Sequence, residues 1–158
     1  MTSTVRRAEL ADAPQIAECL AELGYGTPPR LVTEKLTALA ESRTDAVFVA
    51  GGPAGAELAG VISAHVLPLF HVPGNAARIT VLSVRREAQG RGVGRALVGA
   101  AEAFAWASGC RRVEVTSGDH RSGAHAFYQA LGYAVDERRF LKHAPDVAPQ
   151  PAAVPSGS

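Results

Sequence analysis

The sequence predicts a mixed α+β (α/β) domain, with antiparallel strands in its first half and a strand-helix-strand-helix unit in its second. Three observations carry this. Apolar, strand-like runs at 46–50, 58–68 and 77–84 are separated by links too short for a crossover, so they pair as antiparallel neighbours. Helical spacing of apolar residues brackets them on both sides. A chain of 158 residues, 47% hydrophobic and 20% charged, buries a core of about one ordinary domain. Counted along the chain, the elements make a mostly antiparallel sheet of about six to seven strands flanked by about four helices.

Thr4 to Glu9 reads as a short strand. Asp12-Ala13-Pro14-Gln15 then starts a helix, with an N-cap Asp, an early Pro and a Gln three residues on, and that helix runs to about Leu23. Gly24-Tyr25-Gly26-Thr27-Pro28-Pro29 breaks it before a second helix from about Arg30 to Glu41. Ala46 to Ala50 is a strand, Gly51 to Gly55 a reversal, and Leu58 to about Pro68 the longer partner. After the turn-rich link Phe70 to Asn75, Ala77 to Val84 returns with Ile79, Val81 and Ser83 facing opposite to Thr80, Leu82 and Val84. A long helix from near Gly92 carries Val93, Leu97, Ala100 and Phe104 on one stripe and stops at Ser108-Gly109. Arg112 to Thr116 is a strand, Ser122 to Leu131 a helix stopped by Gly132, and Tyr133 to Val135 and Arg138 to Lys142 the last strands. Residues 144–158, with four of the ten prolines and no aromatic ring, read as a disordered tail behind a domain at 1–143.

A formal charge of +1 gives no global attraction to nucleic acid or an anionic membrane, so neither is an expected partner. Cys19 and Cys110 supply neither metal spacing nor a disulfide framework, so the expectation is no metal, a reducing cytoplasmic setting and two small core residues. The opening MTSTVRRAEL has no continuous apolar run, and no stretch reaches the roughly 18 residues of a membrane span.

The chemistry concentrates at Val81 to Leu97, where a strand passes through Gln89-Gly90-Arg91-Gly92-Val93-Gly94 into an amphipathic helix. Glycines at 90, 92 and 94 let an anion approach the backbone, the helix N-terminus offers unpaired N–H groups and its positive dipole end, and Arg91 and Arg95 add full charges. A dinucleotide fold competes through Glu114, at the place of a ribose-binding acid. Its third glycine falls at Arg95, however, and Arg85 to Gln89 intervene where it needs a tight turn. A phosphate-loop NTPase would need Gly-Lys-Ser/Thr, which is absent.

Residues Gln89, Gly92 and Gly94, after Leu82-Ser83-Val84, resemble the acetyl-CoA signature of the GNAT superfamily of N-acetyltransferases. Its second signature is similar to Ala124, Phe127-Tyr128 and Leu131-Gly132-Tyr133, some thirty-five residues on. The resemblance implies the GNAT fold with a splay between the fourth and fifth strands. It also implies acetyl-CoA as co-substrate: Gln89, Gly90, Arg91, Gly92, Val93, Gly94 and Arg95 on the pyrophosphate, and Leu82, Ser83 and Val84 paired with the pantetheine arm like an added strand. Arg121 stands where many relatives have an Asn on that arm, and its reach would be to a phosphate.

Direct acyl transfer to a primary amine needs a neutral amine, a donor to the oxyanion and an acid for the departing thiolate. The resemblance assigns the oxyanion to a backbone N–H near Leu82 or Ser83, and the acid to Tyr128, whose ordinary pKa of ~10 exceeds a thiol's ~8.5. Many relatives carry a glutamate base at Thr80, and a Thr accepts no proton at neutral pH. That leaves the base unassigned: His71 or His65 could serve through water, since an imidazole titrates near neutrality, and some relatives need none because a fraction of amine is always neutral. The resemblance implies that the acceptor lies against the link between the first two helices and the loop before the fourth strand, here Gly24 to Arg30 and Phe70 to Asn75, where Tyr25, Phe70 and His71 could make an apolar wall or serve as ordinary loop anchors. Neither loop holds an Asp or Glu, so a small molecule or peptide amine of modest charge is expected. A homodimer is the oligomeric expectation from relatives. A catalytically weak acyl-CoA-binding or sensing domain, and a nicotinamide-dinucleotide protein, are the other readings.

Overall fold

Two turns and one helical crossover set the path of the sheet. The structure, a computed structural model, describes residues 4–116, 122–136 and 140–147. Strand β1 (Thr4–Arg7) leads through helices α1 (Ala13–Glu22) and α2 (Pro29–Leu39) into β2 (Asp45–Gly51), β3 (Leu58–Pro68) and β4 (Asn75–Val84). Helix α3 (Val93–Ala107) then crosses to β5 (Cys110–Val115), and α4 is Ser122–Ala130. The sheet order is β1-β2-β3-β4-β5, antiparallel throughout except for the parallel β4–β5 pair. The described residues form two compact units, divided after Thr116, so α4 belongs to the second.

The sheet is covered on both faces. Val49, Leu58 and Val61 pack with Ile16, Ala17 and Cys19 of α1 and Val32 of α2. Val66 and Ala77 pack with Ala105 of α3 and with Cys110. Val61 and Val66 sit an odd number of residues apart on one strand, and the alternation of side chains sends them to opposite faces. Both cysteines are buried and free, as small core residues. At Gly60 the layers close up: a Cβ there would lie 2.6 Å from the Ser83 carbonyl oxygen and 3.0 Å from Leu97 Cδ1. Gly60→Ala is therefore expected to destabilise the fold by about 3 kcal/mol, read as a lower urea midpoint with an unchanged slope.

Asp12 stands at the N-cap position of α1 as expected, but its side chain makes no cap bond. It is fully buried. Arg6 grips both oxygens at 2.8 Å, while the N–H groups of Glu9 and Gly55 donate to them at 2.8 and 3.1 Å. Burial, the largest single influence, pushes the carboxyl up, yet the Arg6 and backbone donors together hold it below its ordinary value. The carboxylate's contribution is thus complete above the ordinary range near about pH 4 and is lost as pH falls through the depressed native value. Asp12→Asn is expected to cost about 3 kcal/mol at neutral pH by removing the buried carboxylate charge that Arg6 grips, and to flatten the acid limb of stability against pH.

Two expectations are corrected. Among the described residues the sheet has five strands, because residues 133–136 and 140–144 are not in strands, and 137–139, with Arg138, lie outside the described residues. A strand needs a ladder, and runs as short as Tyr133 to Val135 bury too little to hold one alone; Val135, Phe140 and Leu141 are 73%, 96% and 64% exposed. The alternation along β4 also breaks. Val81 lies opposite Ser63 and Ile79 opposite Ala64, so Thr80 is an extra residue in a bulge and Ile79 faces away from Val81 and Ser83. The tail expected at 144–158 is described only to 147, its remainder lying outside the described residues.

Candidate active site

The bulge at Thr80 shapes the end of β4. Strand β5 pairs with Asn75 to Ile79 and ends opposite Ile79, at Val115. From Thr80 to Val84, no strand among the described residues pairs with β4 on that side. A bulge bends its strand and increases local twist, and this one falls where the parallel ladder stops. The far half of β4 is therefore left without a partner on that side among the described residues. On the β3 side, the Arg85 N–H donates to the Ala59 carbonyl at 2.8 Å, which fixes the hydrogen-bonding phase of the ladder. By alternation Val81 and Ser83 turn their main chain toward β3, and Leu82 and Val84 turn theirs to the open side. The Ser83 hydroxyl is buried and donates to the Cys19 carbonyl at 2.7 Å, tying β4 to α1.

The turn beyond β4 is braced from α1. Arg85 donates to Gln15 and Glu18 at 2.8 and 2.7 Å, and the Arg86 N–H donates to Glu22 at 2.9 Å. A single 3-10 turn, Arg86–Ala88, follows. Gln89 folds back so that its Nε2 donates to the Val84 carbonyl at 3.2 Å, which joins the open strand edge to the glycine turn. Gly90 and Gly92 have φ of 78° and 82°, the left-handed region that glycine enters freely. Gly92 caps α3 with no side-chain bond to the helix. The first intrahelical bond, from the Ala96 N–H to the Gly92 carbonyl at 3.0 Å, leaves the N–H groups of Val93, Gly94 and Arg95 without helical acceptors. Arg91, Gly92 and Arg95 are exposed, whereas the Val93 side chain is buried as the helix's first core contact. Such a terminus fits an anion: donors, dipole and two guanidinium groups meet at an exposed backbone.

On the sheet beside the bulge lies a hydrogen-bonded row that the sequence reading did not assemble. His65 Nδ1 is 2.7 Å from Asp45 Oδ1, and His65 Nε2 is 2.8 Å from Thr80 Oγ1. Thr80 Oγ1 is also 2.7 Å from Ser63 Oγ. The Ser42 hydroxyl, then His65, then the Thr44 hydroxyl hold the Asp45 carboxyl below its ordinary value against the opposing effect of burial. Asp45 and His65 are directly opposite across β2 and β3. Only the hairpin register brings them together, and that register was the available signal. Glu114 is engaged by Arg78 at 3.0 Å and Arg112 at 2.8 Å, and its carboxyl is held low chiefly by Arg78. Four antiparallel strands and an acid so engaged do not make a ribose site of the dinucleotide fold.

The remaining candidates are dispersed. Tyr25 follows the stop of α1, where the Gly24 and Tyr25 N–H groups donate to the Ala21 and Leu20 carbonyls, and its side chain is 38% exposed. Phe70 is fully exposed, and His71 beside it is exposed too. In the second unit Tyr128 is half-buried in α4, with its ring edge-on to Phe127 at 5.1 Å and Tyr133 at 5.7 Å. The helix stops as expected at Gly132, φ 93°, with the Gly132 and Tyr133 N–H groups donating to the Gln129 and Tyr128 carbonyls at 3.0 Å. Arg121 lies outside the described residues. Among the described residues there is no cluster of metal-ligating side chains, and no helix is long and apolar enough to cross a membrane.

Comparison with solved structures gives close likeness over nearly the whole chain at low identity. A transcriptional regulator from Bacillus halodurans superposes with a TM-score of 0.80 at 22% identity, covering 90% of this chain and 99% of its own. Glucosamine-6-phosphate N-acetyltransferase from Arabidopsis thaliana gives 0.78 at 18%, covering 90% and 99%. An aminoglycoside acetyltransferase from an uncultured soil metagenomic sample, in complex with sisomicin, gives 0.72 at 21%, covering 90% and 95%. A search of curated protein sequences gives no match. At this identity the likeness establishes the fold. The profile of the acetyltransferase (GNAT) family, however, matches residues 15–133, from the first helix past the glycine turn to the Leu131-Gly132-Tyr133 stop, and so the chain belongs to that family.

Proposed function

We infer that the chain is an N-acetyltransferase that passes an acetyl group from acetyl-CoA directly to a primary amine of a small molecule or peptide. One observation supports this above the others: the unpaired half of β4 runs, through the Gln89–Val84 bond, into a helix N-terminus with exposed backbone donors. An amide-rich arm ending in a diphosphate matches both parts. Leu82 and Val84 offer it main-chain donors and acceptors as an added strand would, and the N–H groups between Gln89 and Arg95 take the diphosphate, with Arg91 and Arg95 adding charge. The Leu82 N–H is then the donor for the oxyanion.

Tyr128 supplies the proton to the departing thiolate. Burial pushes both thiols, Cys19 and Cys110, up from their ordinary values, so neither serves as a covalent acyl carrier, in accord with direct transfer in a ternary complex. Tyr25, Phe70 and His71 provide the apolar side of the acceptor site. Their loops carry no acidic residue and Arg30 follows, which disfavours a multiply charged aminoglycoside.

Calorimetric titration with acetyl-CoA, CoA and NAD, followed by thiol release with a panel of primary amines, tests the reading. Acetyl-CoA and CoA are expected to bind well above NAD, with turnover for at least one amine. Preference for NAD contradicts it. Thr80 at the place of the family's glutamate favours a second reading, an acyl-CoA sensor, which saturable binding without turnover would select.

A further inference from the structure

We propose that Thr80, His65 and Asp45 form a proton relay for the attacking amine, with the Thr80 hydroxyl touching the amine and His65 Nε2 as the proton's destination. The proposal deepens the acetyl-transfer reading above and rests on it. The direction of the row follows from donor chemistry. Asp45, which accepts from Ser42 at 2.7 Å and Thr44 at 3.0 Å, is an ionised acceptor, so the His65 Nδ1 at 2.7 Å carries a hydrogen. A neutral imidazole with Nδ1–H leaves Nε2 bare, and the hydroxyl 2.8 Å away, that of Thr80, donates to it. The Ser63 hydroxyl, 2.7 Å from Thr80, then donates to the Thr80 oxygen. The relay thus lies poised to accept a proton at Thr80.

The arrangement answers a chemical need that Thr80 alone cannot meet. As the amine nitrogen bonds to the acetyl carbon, its N–H proton passes to Thr80 Oγ1 while the Thr80 proton passes to His65 Nε2. The carbonyl electron pair moves to oxygen, returns as the C–S bond breaks, and the thiolate takes the Tyr128 proton. Amide and CoA thiol leave. An imidazolium and a phenolate remain, and solvent returns the proton from one to the other. Asp45 stabilises the imidazolium and fixes the ring's tautomer, as a carboxylate behind a histidine does elsewhere. The row also sits where Thr80 is displaced by its bulge, at the head of the open half of β4. His65 is 28% and Asp45 26% exposed, so the row is reachable from solvent.

The other charges on this face are Arg78, opposite His65 on β4, and Glu114 and Arg112 on β5. Those three are paired with one another, and Asp45 is the charged group in hydrogen-bond contact with His65 among the described residues.

The test measures kcat/KM against pH with acetyl-CoA and three amine probes, glycinamide, benzylamine and trialanine, for the full chain and for His65→Gln, Thr80→Val and Thr80→Ser. His65→Gln and Thr80→Val are each expected to lose roughly 10²-fold in kcat/KM, and the two are expected to change its acid-side slope alike. Thr80→Ser, which retains a hydroxyl, is expected to recover most of the rate that Thr80→Val loses, and the double variant His65→Gln/Thr80→Val is expected to lose no more than either single one. Wild-type slopes and rates in His65→Gln overturn the relay while leaving acetyl transfer standing. Acetyl-CoA affinity, measured alongside, fails only if the acetyl-transfer reading fails. Should no probe turn over, nitrogen NMR of the His65 ring decides: Nδ1-protonated with bare Nε2 upholds the row, and Nε2-protonated overturns it.

Discussion

Gly92→Val is expected to weaken acetyl-CoA binding by roughly 10³-fold while the chain remains folded. A charge-assisted hydrogen bond contributes about 1.5–3 kcal/mol, so losing two backbone donors at the diphosphate removes about 4 kcal/mol, and each 1.4 kcal/mol is tenfold. The protein itself has room for the side chain, since a Cβ at Gly92 meets nothing within 4 Å. The backbone does object: at φ 82° a branched residue is strained by about 1–2 kcal/mol. The penalty therefore falls mostly on the ligand. Calorimetry against acetyl-CoA, with a thermal melt as control, separates the two effects, and unaltered affinity in a folded variant contradicts the placement of the diphosphate.

Tyr128→Phe isolates a single atom. The edge contacts to Phe127 and Tyr133 are made by the ring, which Phe retains, so packing in α4 is preserved and the hydroxyl alone is removed. In its proposed role as donor to the departing thiolate, that hydroxyl is expected to be worth roughly 10³-fold in kcat, with acetyl-CoA affinity changed by less than about threefold. An unchanged kcat removes Tyr128 from the acid role.

What the sequence reveals here is set by how local the causes are. Left-handed glycines 24, 90, 92, 109 and 132 mark turns and helix ends that one stretch of chain decides alone, and those boundaries are readable. The short links around Gly51 to Gly55 and Phe70 to Asn75 likewise dictate the antiparallel order of β2, β3 and β4. The bulge at Thr80 is another matter, because an extra residue is defined only against a partner strand, and its presence reverses the facing of Ile79. Asp12 looks like a helix cap until Arg6, on β1, and Gly55, forty-three residues on, take its oxygens. The Asp45–His65–Thr80 row spans three strands, so no spacing within one segment announces it. The proposed row depends on long-range register across β2, β3 and β4.

A crystal structure of the chain with acetyl-CoA tests the central claim most directly. The account predicts diphosphate oxygens within hydrogen-bond distance of the N–H groups between Gln89 and Arg95, and pantetheine amides paired with Leu82 and Val84 along the open half of β4. Coenzyme held elsewhere, with that turn and strand edge untouched, would contradict it.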